Sequence, residues 1–177
     1  MQSTSSLWAE KYFPSSVDEF IGNSELVDKA LAWSQKWNAK SKEKPLFFYG
    51  MTGSGKTCLA LLLAKLNGWE LFELNASSLR DKESVERLAG SAALNSSFSG
   101  KLRLILIDEL DCMQSVDRGG YGAIANICKQ SQNPVILTAN DLYENQNLAQ
   151  FRSLCELLEF KKINYLSMSK RLCELLS

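Results

Sequence analysis

Gly50, Met51, Thr52, Gly53, Ser54, Gly55, Lys56 and Thr57 stand in the pattern G-x-x-x-x-G-K-[ST] without a mismatch. That spacing meets the demands of polyphosphate chemistry. Glycines at 50, 53 and 55 let the backbone curl so that its N–H groups converge on phosphate oxygens, and a helix opening at the lysine adds partial positive charge. Lys56 can reach β- and γ-phosphates, and the Thr57 hydroxyl can ligate Mg²⁺. Cys58, next on the same helical turn, completes this stretch of candidate nucleotide contacts. Farther along, Asp108 and Glu109 close the apolar run 104–107. An aspartate there can hold Mg²⁺ through its shell, and a glutamate can polarise an attacking water. An Asp-Glu pair alone is usually a solvated loop; here it gains its meaning from the phosphate loop upstream. Asp111 extends the acidic run, with no role that its spacing dictates. Asn140 ends the run 135–139 and could stand beside the γ-phosphate and the water, although alone it would be a turn residue.

These residues need elements to hold them. Five apolar runs, 46–49, 70–74, 102–107, 134–138 and 156–160, alternate with helical candidates at 56–66, 82–94 and 119–129. Such alternation argues for βαβ units and a parallel sheet covered on both faces. The loop at 50–57 follows a strand and opens a helix, the setting its chemistry requires. The third run is continuously apolar from Leu104 to Ile107, as expected of a central strand. Before the first strand, residues 24–37 carry Leu26, Val27, Ala30, Leu31 and Trp37 at helical spacing, with Asn23 or Ser24 as N-cap. Residues 7–20, with Pro14, read as irregular, and 165–176 read as a final helix.

Composition narrows the function classes. Twenty Lys+Arg balance twenty Asp+Glu, so no bulk field draws the chain to nucleic acid or membrane, and any such contact must come from a local patch or from partners. There is no histidine, which removes Ser-His-Asp and Cys-His nucleophile systems and His-ligated metal sites. The five cysteines contain no C-x-x-C, and reduced thiols in an intracellular, soluble protein are expected. The longest apolar run, 58–64, is far too short to span a bilayer, so no membrane association is expected.

With these motifs in place the chain resembles the AAA+ ATPases, and within them the large subunits of the clamp loaders, from about Leu7 to Leu176. Trp8-Ala9-Glu10-Lys11-Tyr12-Phe13-Pro14 is similar to the family's amino-terminal box beside the adenine, and Phe20-Ile21-Gly22-Asn23 to its next adenine-side segment. The resemblance therefore implies nucleotide contacts from Tyr12, Ile21 and Gly22. Glu73-Leu74-Asn75-Ala76-Ser77 resembles a turn after the second strand, and Asp117-Arg118-Gly119-Gly120 a signature of large subunits. Three departures stand out. Phe13 replaces a usual arginine; Leu154 stands where small subunits carry an arginine that acts on a neighbour's ATP; and the chain ends within what resembles the first lid helix.

The resemblance implies a five-stranded parallel α/β sheet of the P-loop NTPase (AAA+) type, with residues 1–162 as nucleotide-binding domain and 163–177 as the truncated start of a helical lid. It implies ATP and Mg²⁺ as cofactors, with Glu109, Lys56 and Asn140 catalytic and Thr57 and Asp108 on the metal. The implied partners are clamp-loader small subunits, the sliding clamp (PCNA) and, through the assembled complex, primer-template DNA. Arg80 and Arg118 stand where helix N-termini could meet phosphates, although Asp81 and Asp117 adjoin them as surface partners. Leu94 and Phe98, within 89–100, are the candidate clamp anchors. Two rivals remain: a small P-loop kinase, which would need basic lid residues, and a subunit that holds ATP structurally without turnover.

Overall fold

The computed structural model describes residues 7–37, 43–76, 100–113 and 118–176. Each of the five apolar runs forms a strand within one residue of its expected bounds: β1 (Leu46–Gly50), β2 (Glu70–Asn75), β3 (Arg103–Asp108), β4 (Val135–Ala139) and β5 (Glu156–Phe160). All pair in parallel in the order β2-β3-β4-β1-β5. Burial follows position. Interior strand β3 is buried at four consecutive residues, whereas edge strand β2 alternates half-buried and exposed. A strand covered on both faces has no polar side to present, which is why its sequence reads as an unbroken apolar run.

The helices among the described residues are α1 (Trp8–Lys11), α2 (Ser24–Lys36), α3 (Lys56–Asn67), α4 (Arg118–Gln130), α5 (Phe151–Leu154) and α6 (Tyr165–Leu176). Strand pleating sorts the apolar residues into two cores. Leu46, Phe48, Leu104, Leu106 and Ile136 face α2 and α3, with Trp33, Leu59 and Leu63 in the same cluster. Phe47, Ile105, Ile107, Val135 and Leu137 face the opposite way, with Tyr121, Ile124 and Phe151. Because all five strands run parallel, the carboxyl ends that carry the polar residues lie along one rim.

The amino-terminal stretch corrects one expectation. Residues 7–20 are not wholly irregular: α1 is followed by a 3₁₀ turn, Val17–Glu19. Glu19 closes that turn by accepting from the Ser15 backbone N–H and hydroxyl at 2.6 and 3.1 Å. Asn23 does occupy the N-cap of α2, but its side chain makes no capping bond. Its carboxamide turns away to pair with the backbone of Lys161, accepting from the N–H at 2.9 Å and donating to the C=O at 3.1 Å. Arg80, the helix expected at 82–94, the segment 89–100 up to residue 99, with Leu94 and Phe98, and Asp117 lie outside the described residues. Arg118 is the first residue of α4, ahead of Gly119 and Gly120. Among the described residues no helix is long and apolar enough to cross a membrane.

Candidate functional site

The rim of the sheet builds the site. Gly50 must leave β1 while still in register with Phe160 of β5. Its φ is +133°, and a Cβ there would lie 2.2 Å from the Phe160 carbonyl oxygen, so only glycine can make this exit. The loop then runs into α3, whose N-cap Gly55 offers no side-chain capping bond. The first N–H groups of a helix have no intrahelical acceptor, and here they border a cavity of about 220 Å³. Thr52, Lys56, Thr57, Asp108, Glu109, Thr138 and Asn140 line that cavity together. Residues from three sequence segments, 52–58, 108–109 and 138–140, thus converge on one cradle.

Lys56 is buried, with 8% of its surface exposed. Its ammonium donates to the carbonyls of Gly50 and Met51 at 2.6 and 3.1 Å and to Asn140 Oδ1 at 3.1 Å. Burial pushes its pKa down, while Asp111, then Asp108 and Glu109, pull it back up. The carboxylates thus favour the charged ammonium against burial, and its three N–H donors are engaged by Gly50, Met51 and Asn140. The Thr57 hydroxyl donates to Asp108 at 3.0 Å. That pair of hard oxygen donors, beside helix N–H groups and a buried ammonium, fits Mg²⁺ and a polyphosphate in kind.

Glu109 stands in the left-handed region at φ +55°, so the chain turns sharply as it leaves β3. Its side chain accepts from Asn75 Nδ2 at 3.1 Å, and its backbone N–H donates to the Thr138 hydroxyl at 3.0 Å. Thr138 in turn donates to Asp108. Spacing alone does not single out Thr138. Its signal is a hydroxyl inside the apolar run of β4, at 1% exposure. Asn140 is held from three sides: its carbonyl accepts from the Gly50 N–H at 3.2 Å, its amide donates to Asp111, and its Oδ1 also accepts from Thr52 at 3.1 Å.

A second cavity of about 240 Å³ adjoins the first, sharing Gly55 and Cys58 with it. Tyr12, Phe20 and Ile21 line it from one side, and Ile163, Met168, Leu172 and Leu175 from the other. Two of the adenine-side candidates, Tyr12 and Ile21, therefore border a mainly apolar pocket next to the phosphate cradle. Gly22 does not; it lies in the neighbouring depression with Asn23 and Ser24. Among the other loop residues, Met51 projects outward with 60% exposure, and Gly53 and Ser54 lie within the turn, the Ser54 hydroxyl buried without a hydrogen-bond partner. Phe13, in place of the family's arginine, packs under the ammonium of Lys65 from α3, 5.6 Å from its ring centre.

At the end of α5, just before β5, Leu154 packs against the core. Arg152, two residues earlier, is exposed but tethered. Its guanidinium lies 4.6 Å from the Tyr143 ring centre and donates to the Leu142 carbonyl at 3.1 Å. Tyr143 meets Tyr49 edge-on at 5.9 Å, and burial together with this neighbour pushes the Tyr49 phenol up to about 12.

Comparison with known proteins bears on this arrangement. The chain is similar to archaeal replication factor C large subunits. It is 42% identical to that of Methanospirillum hungatei over 172 residues, covering 96% of this chain and 35% of the relative. It is 41% identical to that of Methanocorpusculum labreanum over 170 residues, again 35% of the relative. The chain thus spans about a third of the length of these relatives. Among solved structures, the Thermotoga maritima RuvB Holliday junction branch migration motor superposes with a TM-score of 0.67 at 23% identity, over 93% of this chain and 55% of that one, a likeness of fold. The model of the family "ATPase family associated with various cellular activities (AAA)" matches residues 46–157. Because that match runs from the start of β1 into β5, through the loop, the acidic pair and the strand-tip asparagine, the chain belongs to the AAA family of ATPases.

Proposed function

We propose that this chain is the nucleotide-binding part of a clamp-loader large subunit, which uses ATP binding and hydrolysis to place a sliding clamp on primer-template DNA. The similarity to replication factor C large subunits supports the clamp-loader reading. One observation carries the choice of hydrolysis: Glu109 and Asn140 reach the same cavity as Lys56, Thr57 and Asp108. A carboxylate and a carboxamide beside the phosphate cradle suit the positioning of a water. A kinase would need cations over the transferred group, and Lys56 is the only cation lining this cavity among the described residues.

In this reading the helix N–H groups and Lys56 bind the β- and γ-phosphates. Thr57 and Asp108 would hold Mg²⁺, which supplies charge neutralisation at the phosphate oxygens when bound. Glu109 orients the water and takes its proton, and Asn140 sits beside the terminal phosphate. Tyr12 and Ile21 pack on the adenine in the apolar cavity, which α6 closes as the first helix of a lid. With Leu154 packed on the core at the arginine position, this chain presents no finger to a neighbour's ATP, while the stimulating arginine for its own site comes from a neighbouring small subunit. Arg118, at the start of α4, and Arg80 are proposed to meet the DNA backbone once the complex is assembled.

The test joins binding with turnover. Lys56→Ala should weaken ATP binding about 10- to 100-fold by calorimetry, the loss of a charge-assisted contact. The chain alone should bind ATP yet hydrolyse it slowly, and addition of small subunits should raise the rate by about 10³–10⁵, the range for arginines supplied in trans. Unchanged affinity in Lys56→Ala removes the phosphate site; rapid hydrolysis by the isolated chain removes the neighbour's arginine.

A further inference from the structure

Asp111 lies in the 3₁₀ turn Leu110–Cys112, immediately after the left-handed Glu109. Its Oδ2 accepts from the backbone N–H of Asn140 at 3.0 Å, across 29 residues of sequence. Its Oδ1 is buried and has no hydrogen-bond partner. A carboxylate oxygen withdrawn from water without a hydrogen bond is costly unless a positive group compensates it. The compensating charge is Lys56: of the three carboxylates that act on that ammonium, Asp111 acts most strongly. Asp111 is therefore poised between two members of the phosphate cradle, touching one and polarising the other.

We propose that Asp111 is a positioning residue for hydrolysis, which by gripping the Asn140 amide fixes where the Asn140 carboxamide and its bonded Lys56 stand above the phosphate loop. The proposal rests on the role given above to Asn140.

A purely architectural role for this bond is a poor account of it, because the two elements it joins are already tied. The turn is anchored to β4 by the Glu109 N–H on Thr138 at 3.0 Å, and its end is held by the Tyr121 hydroxyl donating to the Met113 carbonyl at 3.0 Å. The tip of β4 is held on its other flank by the Gly50 N–H on the Asn140 carbonyl at 3.2 Å. That last bond engages the carbonyl of Asn140, while its N–H, on the other side of the Cα, is engaged by Asp111. The Asp111 bond acts on the amide nitrogen, one bond from the Cα that bears the carboxamide, so the backbone is held on both sides of that Cα. The same Oδ1 of Asn140 that receives Lys56 also receives Thr52, both at 3.1 Å. A shift of that oxygen would therefore disturb both the lysine and the loop threonine.

The experiment compares Asn140→Ala, Asp111→Ala, Asp111→Asn and the Asp111→Ala/Asn140→Ala double variant in the protein assembled with its partner subunits. ATP affinity is read by calorimetry and kcat by phosphate release. Asn140→Ala and Asp111→Ala should each lower kcat by about tenfold or more, a charged hydrogen bond's worth. ATP affinity should not fall in Asp111→Ala, since a negative charge leaves a polyanion site. Asp111→Asn should keep most of the rate, because its carbonyl can accept the same N–H. The double variant should be no more than about twofold slower than the slower single one, as expected when one residue acts through the other.

Wild-type kcat in Asp111→Ala alongside a slow Asn140→Ala overturns the proposal. So do multiplying effects in the double variant, or an Asp111→Asn as slow as Asp111→Ala. Wild-type kcat in Asn140→Ala removes the role of Asn140 itself, a failure distinct from that of Asp111, and the proposal falls with it. Should Asp111→Ala not fold, amide exchange at Asn140 decides: protection in wild type and in Asp111→Asn supports the bond, and exchange at open-loop rates in wild type overturns it.

Discussion

The two ends of the nucleotide cleft are built on different principles. At the phosphate end, polar groups project from strand ends and are cross-tied: Thr57 and Thr138 to Asp108, Asn75 to Glu109, Asp111 to Asn140, Asn140 to Lys56. The sheet beneath them is buried on both faces and supplies the rigidity. At the apolar end, Tyr12, Phe20 and Ile21 face α6 across a pocket whose walls are partly open, Met168 and Leu172 being 44% and 48% exposed. Among the described residues no strand lines that end. What joins its walls is the segment 20–23: Phe20 lies on Gly55, Gly22 lies near Ile163, and Asn23 grips Lys161. The difference separates tasks physically. Charge stabilisation needs preorganised dipoles, which only the sheet rim can hold still, whereas packing on a flat ring tolerates walls that adjust.

The largest effect that tests this separation should come from Glu109→Gln. The substitution keeps the size of the side chain and its contact with Asn75, and removes the carboxylate that accepts a proton. Hydrolysis in the assembled protein should fall by about 10²–10⁴, the usual range for loss of a general base. ATP affinity should stay within about threefold, since binding depends on the loop, on Lys56 and on the apolar end. Single-turnover hydrolysis and calorimetry measure the two quantities. A parallel collapse of affinity would mean that chemistry and binding are not separable in this cleft.

An intermediate effect is expected at Gly55, where the two ends touch. Its φ is +97°, and a Cβ there would meet Phe20 Cζ at 2.7 Å. Gly55→Ala imposes left-handed strain of about 1–2 kcal/mol and pushes Phe20 off the loop. Thermal stability should fall, and ATP affinity should weaken about tenfold by calorimetry, as both cavities share this residue. Normal affinity in a folded Gly55→Ala would show that the apolar end does not depend on its contact with the phosphate loop.

The same contrast explains what could be read from the sequence. The phosphate end was legible because its chemistry restricts residue types: a loop that must curl needs glycine, a buried anion site needs lysine, and a strand buried on both faces leaves Asp108 and Glu109 conspicuous at its end. Thr138 and Asp111 were harder. Their roles depend on which strand ends become neighbours, and β1 is inserted between β4 and β5 against chain order. The apolar end offered no such restriction. Tyr12 and Ile21 could be placed only through family resemblance, since apolar side chains at irregular spacing fit many pockets. Asn23 stands at the N-cap as expected, but the use of its side chain was not legible for a related reason. An asparagine before a helix is a natural cap, and nothing local reveals that Lys161, 138 residues away, presents a matching backbone N–H and C=O.

Asn23 gives the smallest and most selective test. It stands in the left-handed region at φ +52°, a conformation that glycine accepts without strain. Asn23→Gly therefore removes the bonds to Lys161, and the longer one to the Ser54 carbonyl at 3.4 Å, while keeping the backbone. The bonds are partly solvated, so the loss in stability should be about 1 kcal/mol. Amide exchange at Lys161 should speed up by several-fold, because that N–H loses its acceptor. The Asn140 amide should be unaffected, being held from β4 and the Asp111 turn rather than from the segment 20–23. Hydrolysis should stay within about twofold of wild type, with any cost appearing first in ATP affinity through the loosened α6 wall. A fall in kcat comparable to that of Glu109→Gln would mean that the apolar end sets the geometry of the phosphate end after all, and that the sheet rim alone does not hold the reacting groups in place.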